Sequence, residues 1–504
     1  MTEIFRYGFD RLTVDLALKL ANNQIRGNIT EEIERKIEDS FQTVQSIVEG
    51  KKLVYSVNTG FGSLCTTRIS KEETGKLQEN LLKSHSVGVG DPIPRELSKL
   101  MLILKIHTLC MGHSGISLKV IKRILWHIEN DIIPLVPKQG SVGASGDLAP
   151  LAHLFLPLIG LGSLSKEGND YKPAMDVLKE FNLKPLKLQA KEGLALINGT
   201  QFITAFAVKV SAEFSKCLDY ADIIGAMSLE GYLGSPQPFR EHLIQLRPHP
   251  GAVKVAERFR KLLKDSEFVK SHEDCDRVQD PYSMRCIPQV HGASREALSH
   301  LNERLECELN SVTDNPIIFG KDAISGGNFH GQPMALPLDY VALAASELGN
   351  ISDRRTFLLL DGKWGLPAYL VKNSGLNSGF MIAQYCSAAL TSENKSSCFP
   401  ASADSIPTSM GQEDHVSMGS ISARKALRII NNLEKILAIE LLCAAQAFDF
   451  RRPLKSSSIL EKCHKYTRQK IPHIENDEVL SYHINSALEI INSEKFIVFF
   501  NESE

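Results

Sequence analysis

The 504-residue sequence predicts a soluble, largely helical protein. Apolar residues recur at three-to-four spacing between positions 30 and 50 and again between 117 and 130, which is the pattern of amphipathic helices. The stretch from Leu427 to Phe448 is apolar on most sides, as expected of a helix buried in a bundle. Hydrophobic residues make up 43% of the chain and charged residues 23%, which is the composition of an ordinary globular protein.

Net charge and cysteine usage exclude several kinds of partner and compartment. The chain has 57 Lys and Arg against 59 Asp and Glu, a net charge of −2, so we expect no binding to nucleic acid or membrane. Its first residues carry charges where a secretory signal needs an apolar run. The ten cysteines show no C-x-x-C spacing, which suits reduced thiols and predicts a cytoplasmic protein.

The first predicted helix begins at Thr30, whose hydroxyl can cap the helix N-terminus. Glu31 and Glu32 follow in the first turn, where the helix dipole favours acidic side chains. The helical pattern ends at Gly50. A polar loop with two glycines follows at positions 55–62 and predicts a tight, exposed turn.

Two further helices are predicted from Leu97 to Met111 and from Ser117 to Asn130. We expect Pro134 and Pro137 to stop the second helix, because proline cannot continue a helix. From Leu338 onward, the apolar residues again follow helical spacing.

The stretch from Leu148 to Ser165 lacks Lys, Arg, Asp and Glu and approaches the length of a membrane-spanning helix. Two prolines and two glycines interrupt it, so we predict burial inside a soluble protein instead. Residues 166–173 predict a surface turn. The basic stretch from Lys455 to Lys470 has few aromatic residues for base stacking and predicts a solvated helix face.

Three small residues, Ala144, Ser145 and Gly146, offer an unusual chemistry. Because glycine has no Cβ, Gly146 can bring its amide nitrogen toward the Ala144 carbonyl carbon. Attack of the nitrogen on that carbon closes a five-membered ring. Loss of two waters, one of which takes the Ser145 hydroxyl, then leaves an imidazolone with an exocyclic methylene. That methylene is an electrophile made from the backbone, although most Ala-Ser-Gly triplets are ordinary turns.

The surroundings of the triplet distinguish it from an ordinary turn. Asp147 follows it directly, and Gly140 and Gly143 precede it. This pattern resembles the signature of the histidine and aromatic amino acid ammonia-lyases, and further matching motifs run from Tyr55 to beyond His415. In that family the ring is 4-methylidene-imidazol-5-one (MIO). The resemblance implies that this chain makes MIO and uses no dissociable cofactor and no metal.

Five side chains have ordinary structural explanations when each is taken alone. These are a half-buried aromatic for Tyr55, a satisfied histidine for His85, a helix cap for Asn198, a salt bridge for Arg285 and a paired or capping carboxylate for Glu413. In the family resemblance, Tyr55 is the catalytic base, and Asn198 and Arg285 bind the substrate carboxylate. A guanidinium suits that role because it holds a carboxylate in a bidentate geometry.

Other residues complete the reaction site by resemblance. Tyr282 stands near MIO as a catalytic residue, and Gln279 orders the surrounding hydrogen bonds. Phe329 packs beside the substrate ring, and Phe329 and Asp147 assist formation of MIO. The resemblance further implies that Tyr55 removes the β-proton, which requires a pKa well below the free tyrosine value of about 10.

Four features are typical of family members that act on histidine. They are Asn58, the pair Ser84-His85, Met381 and Glu413. A histidine side chain can donate or accept a hydrogen bond beside an imidazole, and the resemblance implies that Glu413 faces that imidazole. Two positions depart from the family pattern: Ser56, where glycine is usual, and Met410-Gly411, where Ala-Asn is often found.

The resemblance also implies a fold and an assembly. The fold is mainly α, as in the ammonia-lyase/fumarase-aspartase-like proteins, with an N-terminal MIO-bearing domain at 1–197. A long central helical bundle with a C-terminal helical region follows at 198–504. The implied assembly is a homotetramer whose active sites draw residues from more than one subunit.

The reaction implied is elimination of ammonia from L-histidine to give trans-urocanate, the first step of histidine degradation. The sequence leaves open whether the substrate amine or its ring adds to MIO. One alternative is a lyase or aminomutase for tyrosine, phenylalanine or another aromatic amino acid. Another is a non-catalytic tetrameric scaffold or ligand sensor, which has no need of an electrophile, a base and a carboxylate clamp together.

Overall fold

The computed structural model describes residues 4–50, 54, 57–62 and 69–502. By their internal contacts, these residues form two compact units. Unit 1 comprises Met1–Lys209, Asn302–Asp339 and Pro400–Arg424, and unit 2 comprises Val210–Leu301, Tyr340–Phe399 and Lys425–Glu504.

Helices dominate both units. Within the described ranges, the twenty α-helices in chain order are α1 (Val14–Ala21), α2 (Glu31–Glu49), α3 (Thr74–His85), α4 (Arg95–Cys110), α5 (Leu118–Glu129), α6 (Leu148–Phe155), α7 (Ala174–Glu180), α8 (Glu192–Ile197), α9 (Gln201–Gly231), α10 (Glu241–Ile244), α11 (Pro250–Leu262), α12 (Glu267–Lys270), α13 (Tyr282–Arg285), α14 (Ile287–Leu309), α15 (Gln332–Leu359), α16 (Met381–Ser397), α17 (Gly419–Asp449), α18 (Ser458–Lys470), α19 (Leu480–Asn492) and α20 (Lys495–Asn501). The division between the units falls inside α9, α14, α15 and α17. The fold is therefore mainly α, as predicted.

The strands are short and belong to unit 1. They are β1 (Ile4–Arg6), β2 (Arg26–Asn28), β3 (Val89–Pro92), β4 (Ile133–Pro134), β5 (Pro137–Gln139), β6 (Ser163–Ser165), β7 (Tyr171–Pro173), β8 (Ile317–Phe319) and β9 (Asp322–Ile324). β1 pairs with β2 in parallel, while β3 with β5, β8 with β9 and the three strands β4, β6 and β7 pair antiparallel.

Helix α2 forms as its sequence predicts. The Thr30 hydroxyl accepts a hydrogen bond from the Ile33 amide at 3.4 Å, which caps the N-terminus. Its apolar stripe, which includes Ile37 and Phe41, is buried. The helix therefore gains its stability mainly from packing of this one face.

The end of α5 has a different cause from the one predicted. The helix stops at Glu129, and Asp131 then adopts a left-handed conformation with φ of 55°. Pro134 and Pro137 lie in β4 and β5, beyond this reversal. The prediction that the prolines stop the helix was wrong, because the chain has already turned before it reaches them.

The uncharged stretch 148–165 divides into α6, a single 3₁₀ turn and β6. The described residues include no helix that combines the length and the apolar character needed to cross a membrane. The predicted surface turn at 166–173 is shorter than expected. Tyr171–Pro173 forms β7, and Ser163 of β6 pairs with Pro173 across the turn.

Unit 2 has its own apolar core. The part of α17 from Ile436 onward is closely buried, with Leu437, Leu441 and Phe448 fully inaccessible. Helix α18 buries Ile459 and Leu460 on one side. Its lysines at 462, 465 and 470 are exposed, so the predicted solvated basic face is confirmed.

Candidate functional site

The triplet Ala144-Ser145-Gly146 lies in a sharp bend between β5 and α6. Ser145 and Gly146 have φ of 49° and 84°, so two successive residues occupy the left-handed region. A Cβ built on Gly146 would stand 2.1 Å from the Gly199 carbonyl oxygen. Only glycine fits this close approach, since any side chain would push the two segments apart.

Three hydrogen bonds join the bend to residues 198 and 199. The Asn198 side-chain amide donates to the Ser145 carbonyl oxygen at 3.2 Å, and the Gly199 amide donates to the same oxygen at 3.3 Å. The Asp147 amide donates to the Gly199 carbonyl oxygen at 2.7 Å. One backbone oxygen of the triplet is therefore held by two donors, the arrangement that stabilises negative charge on a carbonyl oxygen.

The approach to the triplet is fixed by the chain after Glu413. The Met418 amide donates to the Val142 carbonyl oxygen at 2.9 Å, and the Ser420 hydroxyl donates to the Ser141 carbonyl oxygen at 2.7 Å. A Cβ on Gly143 would lie 2.3 Å from the Ser417 hydroxyl oxygen. Two motifs far apart in sequence thus form one structure.

A cavity of about 490 Å³ opens beside the triplet. Ser145, His85 and Glu413 all line it. Its other lining residues are Gly60, Phe61, Gly62, Ile69, Leu77, Asn80, Leu81, Ser84, Leu148, Leu194 and Ser409. The cavity is large enough for an amino acid and combines an apolar wall with a few polar groups, as small-molecule sites do.

His85 is half-buried at the end of α3. Its Nδ1 lies 3.0 Å from the Ser84 hydroxyl oxygen. Burial lowers the pKa of His85, although a hydrogen bond to the Leu81 backbone and the charge of Glu413 act in the opposite direction. The imidazole is therefore mainly neutral at pH 7, with one ring nitrogen able to donate and the other to accept.

Glu413 is held by a strained turn. Ser409, Met410 and Gly411 have successive φ values of 54°, 55° and 85°. Across this turn, the Thr408 hydroxyl donates to Glu413 Oε2 at 3.1 Å, and the Thr408 amide donates to the Glu413 carbonyl oxygen at 2.9 Å. The family departure at Met410-Gly411 therefore lies in the turn that aims Glu413.

The loop that carries the predicted base is only partly described. Tyr55 and Ser56 lie outside the described residues. Asn58 is buried, and its side-chain oxygen accepts a hydrogen bond from the Val54 amide at 2.8 Å. Asn58 therefore stabilises its own loop.

Phe329 is half-buried in the loop before α15. Next to it, the His330 ring stacks on the His415 ring with centroids 5.7 Å apart. A Cβ on Gly331 would stand 3.0 Å from the Ser417 hydroxyl oxygen. The segment with Phe329 therefore packs against Ser417, the residue that also lies against Gly143.

Four predicted residues belong to unit 2, namely Gln279, Tyr282, Arg285 and Met381. Tyr282 is 72% exposed, and the Arg285 guanidinium lies over its ring at 4.5 Å from the centroid. Gln279 is exposed in the loop before α13, and Met381 begins α16. The structure thus groups His85, Asn198, Phe329 and Glu413 with the triplet in unit 1 and leaves these four in unit 2.

Two buried charged residues lie near the triplet: Asp147, which the sequence analysis singled out, and Lys105, which it did not. Lys105 of α4 donates from Nζ to the Asn198 carbonyl oxygen at 2.5 Å. Asp147 is fully buried, and its Oδ2 accepts a hydrogen bond from the Ile203 amide at 3.0 Å. Burial raises the pKa of Asp147 to about 7 and lowers the pKa of Lys105 to about 7. Shifts of this size are typical of functional sites.

One sequence signal was available for Lys105. Every residue of α4 from Leu97 to Cys110 is buried, and apolar residues surround Lys105 on both sides in the sequence. A lysine in a helix segment with no exposed face must find its partner inside the protein. No cluster of three or more His, Cys, Asp or Glu suited to a metal ion occurs within 4–50, 54, 57–62 and 69–502.

Comparison with known proteins places these features in a family. The model of the family "Aromatic amino acid lyase" matches residues 12–469. The chain is 46% identical over 477 residues to the histidine ammonia-lyase of Natranaerobius thermophilus, and the match covers 94% of each chain. It is 43% identical over 493 residues to human histidine ammonia-lyase, covering 96% of this chain and 75% of the human protein.

Solved structures show the same fold. The crystal structure of histidine ammonia-lyase from Trypanosoma cruzi superposes with a TM-score of 0.91 at 40% identity, covering 99% of this chain and 95% of that one. The tyrosine aminomutase of Streptomyces globisporus superposes with a TM-score of 0.93 at 33% identity, covering 99% of both chains. Overall shape therefore does not distinguish a histidine lyase from a tyrosine aminomutase, and residues in the cavity must do so.

Proposed function

The chain belongs to the aromatic amino acid lyase family, and from this premise we propose that it eliminates ammonia from L-histidine to give trans-urocanate. The observation that carries the proposal is the cavity that Ser145, His85 and Glu413 line together. It sets two groups suited to an imidazole beside the serine of the self-processing triplet. Relatives named histidine ammonia-lyase, similar over nearly the whole chain, support the same substrate.

The residues present fit MIO. The bend at Ser145 and Gly146 is tight, and the position where a Gly146 Cβ would stand is occupied by the Gly199 carbonyl. Ser145 also lines the cavity, so its β-carbon is accessible to a substrate. Once formed, the ring would supply an electrophilic methylene that makes the substrate nitrogen a better leaving group.

Asn198 and Gly199 stabilise charge on the Ser145 carbonyl oxygen. Both donate hydrogen bonds to it, at 3.2 and 3.3 Å. With the ring in place, this carbonyl would be conjugated with the methylene, and its oxygen would take up electron density during catalysis. Donors already in place stabilise that density without reorganisation, which is the principle of an oxyanion hole. Asn198 therefore has this role in our proposal in addition to binding the substrate carboxylate.

His85 and Glu413 recognise the substrate imidazole. A neutral His85 can donate to or accept from a ring nitrogen, and the Glu413 carboxylate can accept from a ring N–H. Thr408 holds the Glu413 carboxylate at 3.1 Å, so the acceptor is oriented before substrate arrives. An aromatic ring without N–H groups would leave Glu413 desolvated and unpaired, which disfavours phenylalanine.

Tyr55 is the proposed base that removes the β-proton, and Arg285 the proposed clamp on the substrate carboxylate. Gln279, Tyr282 and Met381 contribute to the same site, with Tyr282 beside the reacting groups. Phe329 packs against the substrate ring, and Phe329 and Asp147 assist ring formation.

Exposure of Tyr282 supports an assembly in which this residue is covered by another copy of the chain. We propose a homotetramer with shared active sites, working in the cytoplasm with a free amino acid as substrate. Size-exclusion chromatography with light scattering measures the number of chains per particle.

The test of the proposed function is the rise of absorbance in the urocanate band after L-histidine is added to purified protein. Ser145→Ala, which cannot form the methylene, is the matched variant. We expect wild-type turnover and a loss of kcat on the order of 10³-fold or more in the variant, as when other covalent catalysts are removed.

Other outcomes would correct the proposal. Turnover of L-tyrosine or L-phenylalanine without turnover of L-histidine would overturn the roles of His85 and Glu413. A β-amino acid product would indicate an aminomutase. Absence of any turnover, together with an intact mass that lacks the loss of two waters, would contradict the lyase itself.

A further inference from the structure

Lys105 is buried in the middle of α4 with no accessible surface. Its Nζ lies 2.5 Å from the Asn198 carbonyl oxygen and 3.5 Å from Gln201 Oε1. Removing an ammonium group from water is unfavourable, and hydrogen bonds to neutral oxygens offset that only in part. A methionine would fill the same space without removing an ammonium group from water. The contact between Lys105 and Asn198 therefore needs an explanation.

Charged groups also surround Lys105, but its shortest contact is the hydrogen bond to the Asn198 carbonyl oxygen. Asp314 acts on Lys105 electrostatically, but its carboxylate oxygen lies 2.8 Å from the ammonium of the buried Lys191. Asp147 also acts on it from a distance. Within the described part of the chain, the hydrogen bonds from Lys105 go to neutral groups of the segment 198–201.

That segment is the one that holds the triplet. Asn198 and Gly199 donate to the Ser145 carbonyl oxygen, and Gly199 accepts from the Asp147 amide at 2.7 Å. Gly199 has φ of 127°, so the chain at this point has little intrinsic preference for its conformation. A hydrogen bond to the carbonyl of the preceding residue fixes the orientation of the Asn198–Gly199 peptide plane.

We propose that Lys105 is a positioning residue for formation of MIO, acting through Asn198 and Gly199 on the Ser145 carbonyl oxygen. The inference rests on the proposed function, since it requires that the triplet forms the ring. Asn198 and Gly199 contact the reacting atoms, and Lys105 holds these two residues in the orientation that the contact requires.

The chemistry of ring formation shows which step depends on the orientation of Asn198 and Gly199. A bond forms between the Gly146 nitrogen and the Ala144 carbonyl carbon, and the Ala144 oxygen leaves as water with the amide protons of Gly146 and Ser145. The second water consists of the Ser145 hydroxyl and the Ser145 Cα proton. Donors at the Ser145 carbonyl oxygen make that Cα proton more acidic by stabilising the enolate charge. Displacement of Asn198 therefore slows the second dehydration.

The experiment measures the intact mass of the full chain for wild type, Lys105→Met and Lys99→Met. Lys99 is the matched control because it is a buried lysine on the same helix, with its Nζ 2.7 Å from Asn23 Oδ1 and 2.7 Å from Asp131 Oδ1. Samples are taken at intervals after synthesis, and thermal unfolding is recorded for each protein.

We expect Lys105→Met to accumulate folded chains that retain the Ser145 hydroxyl, with dehydration slowed about 10²-fold, the size of effect seen when one such donor is lost. Lys99→Met should lose both waters at the wild-type rate. A merely structural role of Lys105 predicts equal dehydration in both variants, scaled only by the yield of folded protein.

A second variant keeps the inference testable if Lys105→Met folds poorly. In Lys105→Gln the side chain stays polar but is one atom too short to reach Asn198, so we expect the same slow dehydration. A folded variant of either kind that loses both waters at the wild-type rate overturns the role of Lys105. If the wild-type chain itself retains both waters, the proposed electrophile fails, and the role of Lys105 with it.

Discussion

Unit 2 buries Arg355 and Glu440 as a bidentate ion pair, whereas unit 1 buries Lys105 and Asp147 against neutral groups. In unit 2, the Arg355 guanidinium donates to the two Glu440 oxygens at 2.5 and 2.9 Å. Asp147, by contrast, accepts from a backbone amide, and Lys105 donates to a backbone carbonyl. These two sets of residues therefore solve the burial of charge in different ways.

The unit 2 set, which we name the Arg355 network, extends through His291 to Asp222. Arg355 Nη1 lies 3.2 Å from His291 Nε2, and His291 Nδ1 lies 2.8 Å from Asp222 Oδ1. Arginine can only donate, so His291 accepts at Nε2 and donates at Nδ1. Burial alone would raise the pKa of Asp222, but Arg295 and His291 hold it well below its usual range.

The unit 1 set behaves in the opposite way. Burial dominates there, and it brings the pKa of both Lys105 and Asp147 to about 7. One Asp147 oxygen and the Asn198 side-chain oxygen have no hydrogen-bond partner among the described residues. Paired charges such as those of the Arg355 network are typical of a structural role, while buried groups left near neutrality are suited to proton transfer and positioning.

Removal of Arg355 tests the structural half of this contrast and should have the largest effect. Arg355→Met leaves Glu440 buried and unpaired, so we expect the free energy of unfolding to fall by about 3–5 kcal/mol. Thermal and denaturant unfolding measure the loss. In the double variant with Glu440→Leu the loss should be smaller, because no unpaired charge remains. Equal losses in the single and double variants would show that the pair itself, and not the orphaned charge, sets the stability.

Removal of Asn198 tests the functional half. Asn198→Ala deletes one donor to the Ser145 carbonyl oxygen, and we expect kcat per dehydrated chain to fall about 10²- to 10³-fold. Mass spectrometry gives the dehydrated fraction, by which the rate is divided. Asn432→Ala, which removes a buried amide of unit 2, is the control and should retain kcat. Retention of kcat in Asn198→Ala would show that the Gly199 amide alone is sufficient to stabilise charge on the Ser145 carbonyl oxygen.

Asp147→Asn tests the near-neutral pKa. Asp147 has a folded pKa of about 7 against an ordinary 3.8, so between these values the folded chain keeps a proton that the unfolded chain releases. The free energy of unfolding contributed by this group therefore falls as pH rises through that window. In Asp147→Asn this fall should be absent, which unfolding experiments between about pH 4 and pH 8 can measure. An unchanged pH profile in the variant would mean that Asp147 is ionised in the folded chain across this range.

Thr408→Val should have the smallest effect. It removes the hydroxyl that orients Glu413. A hydrogen bond to a charged group is worth about 1.5–3 kcal/mol, and the partial exposure of Glu413 places this one at the low end, so KM for L-histidine should rise about tenfold. The measurement is initial rate against histidine concentration, with Thr408→Ser as the conservative variant that should restore wild-type KM. A lower kcat at constant KM would assign the turn to the reaction instead of to recognition.

Local signals in the sequence were enough for much of the fold. Thr30 caps α2 as predicted, because an N-cap depends on a few adjacent residues. The buried part of α17 is equally evident from an apolar stretch that is too long for one face. The end of α5 was missed, since a left-handed Asp131 has no strong signature in the sequence.

The sequence singled out three residues that line the cavity, Ser145, His85 and Glu413, but it did not give the contacts around them. The triplet and its glycines announce a tight bend, but Ser417 meets Gly143 across more than 270 positions, which no local pattern encodes. The apolar residues on both sides of Lys105 were a signal in the sequence, and it was missed because a lysine in a helix is usually exposed. Arg285 belongs to unit 2, and only the family resemblance connects it with the cavity.

The contact between Gly146 and Gly199 joins residues 53 positions apart, and the two segments run parallel there. A nascent or unfolded chain does not hold these glycines together. The donors therefore reach the Ser145 carbonyl oxygen only after unit 1 has folded. In our proposal, formation of MIO therefore begins only after folding. On the same proposal, a chain that misfolds keeps its Ser145 hydroxyl, so its intact mass distinguishes it from a chain that has folded.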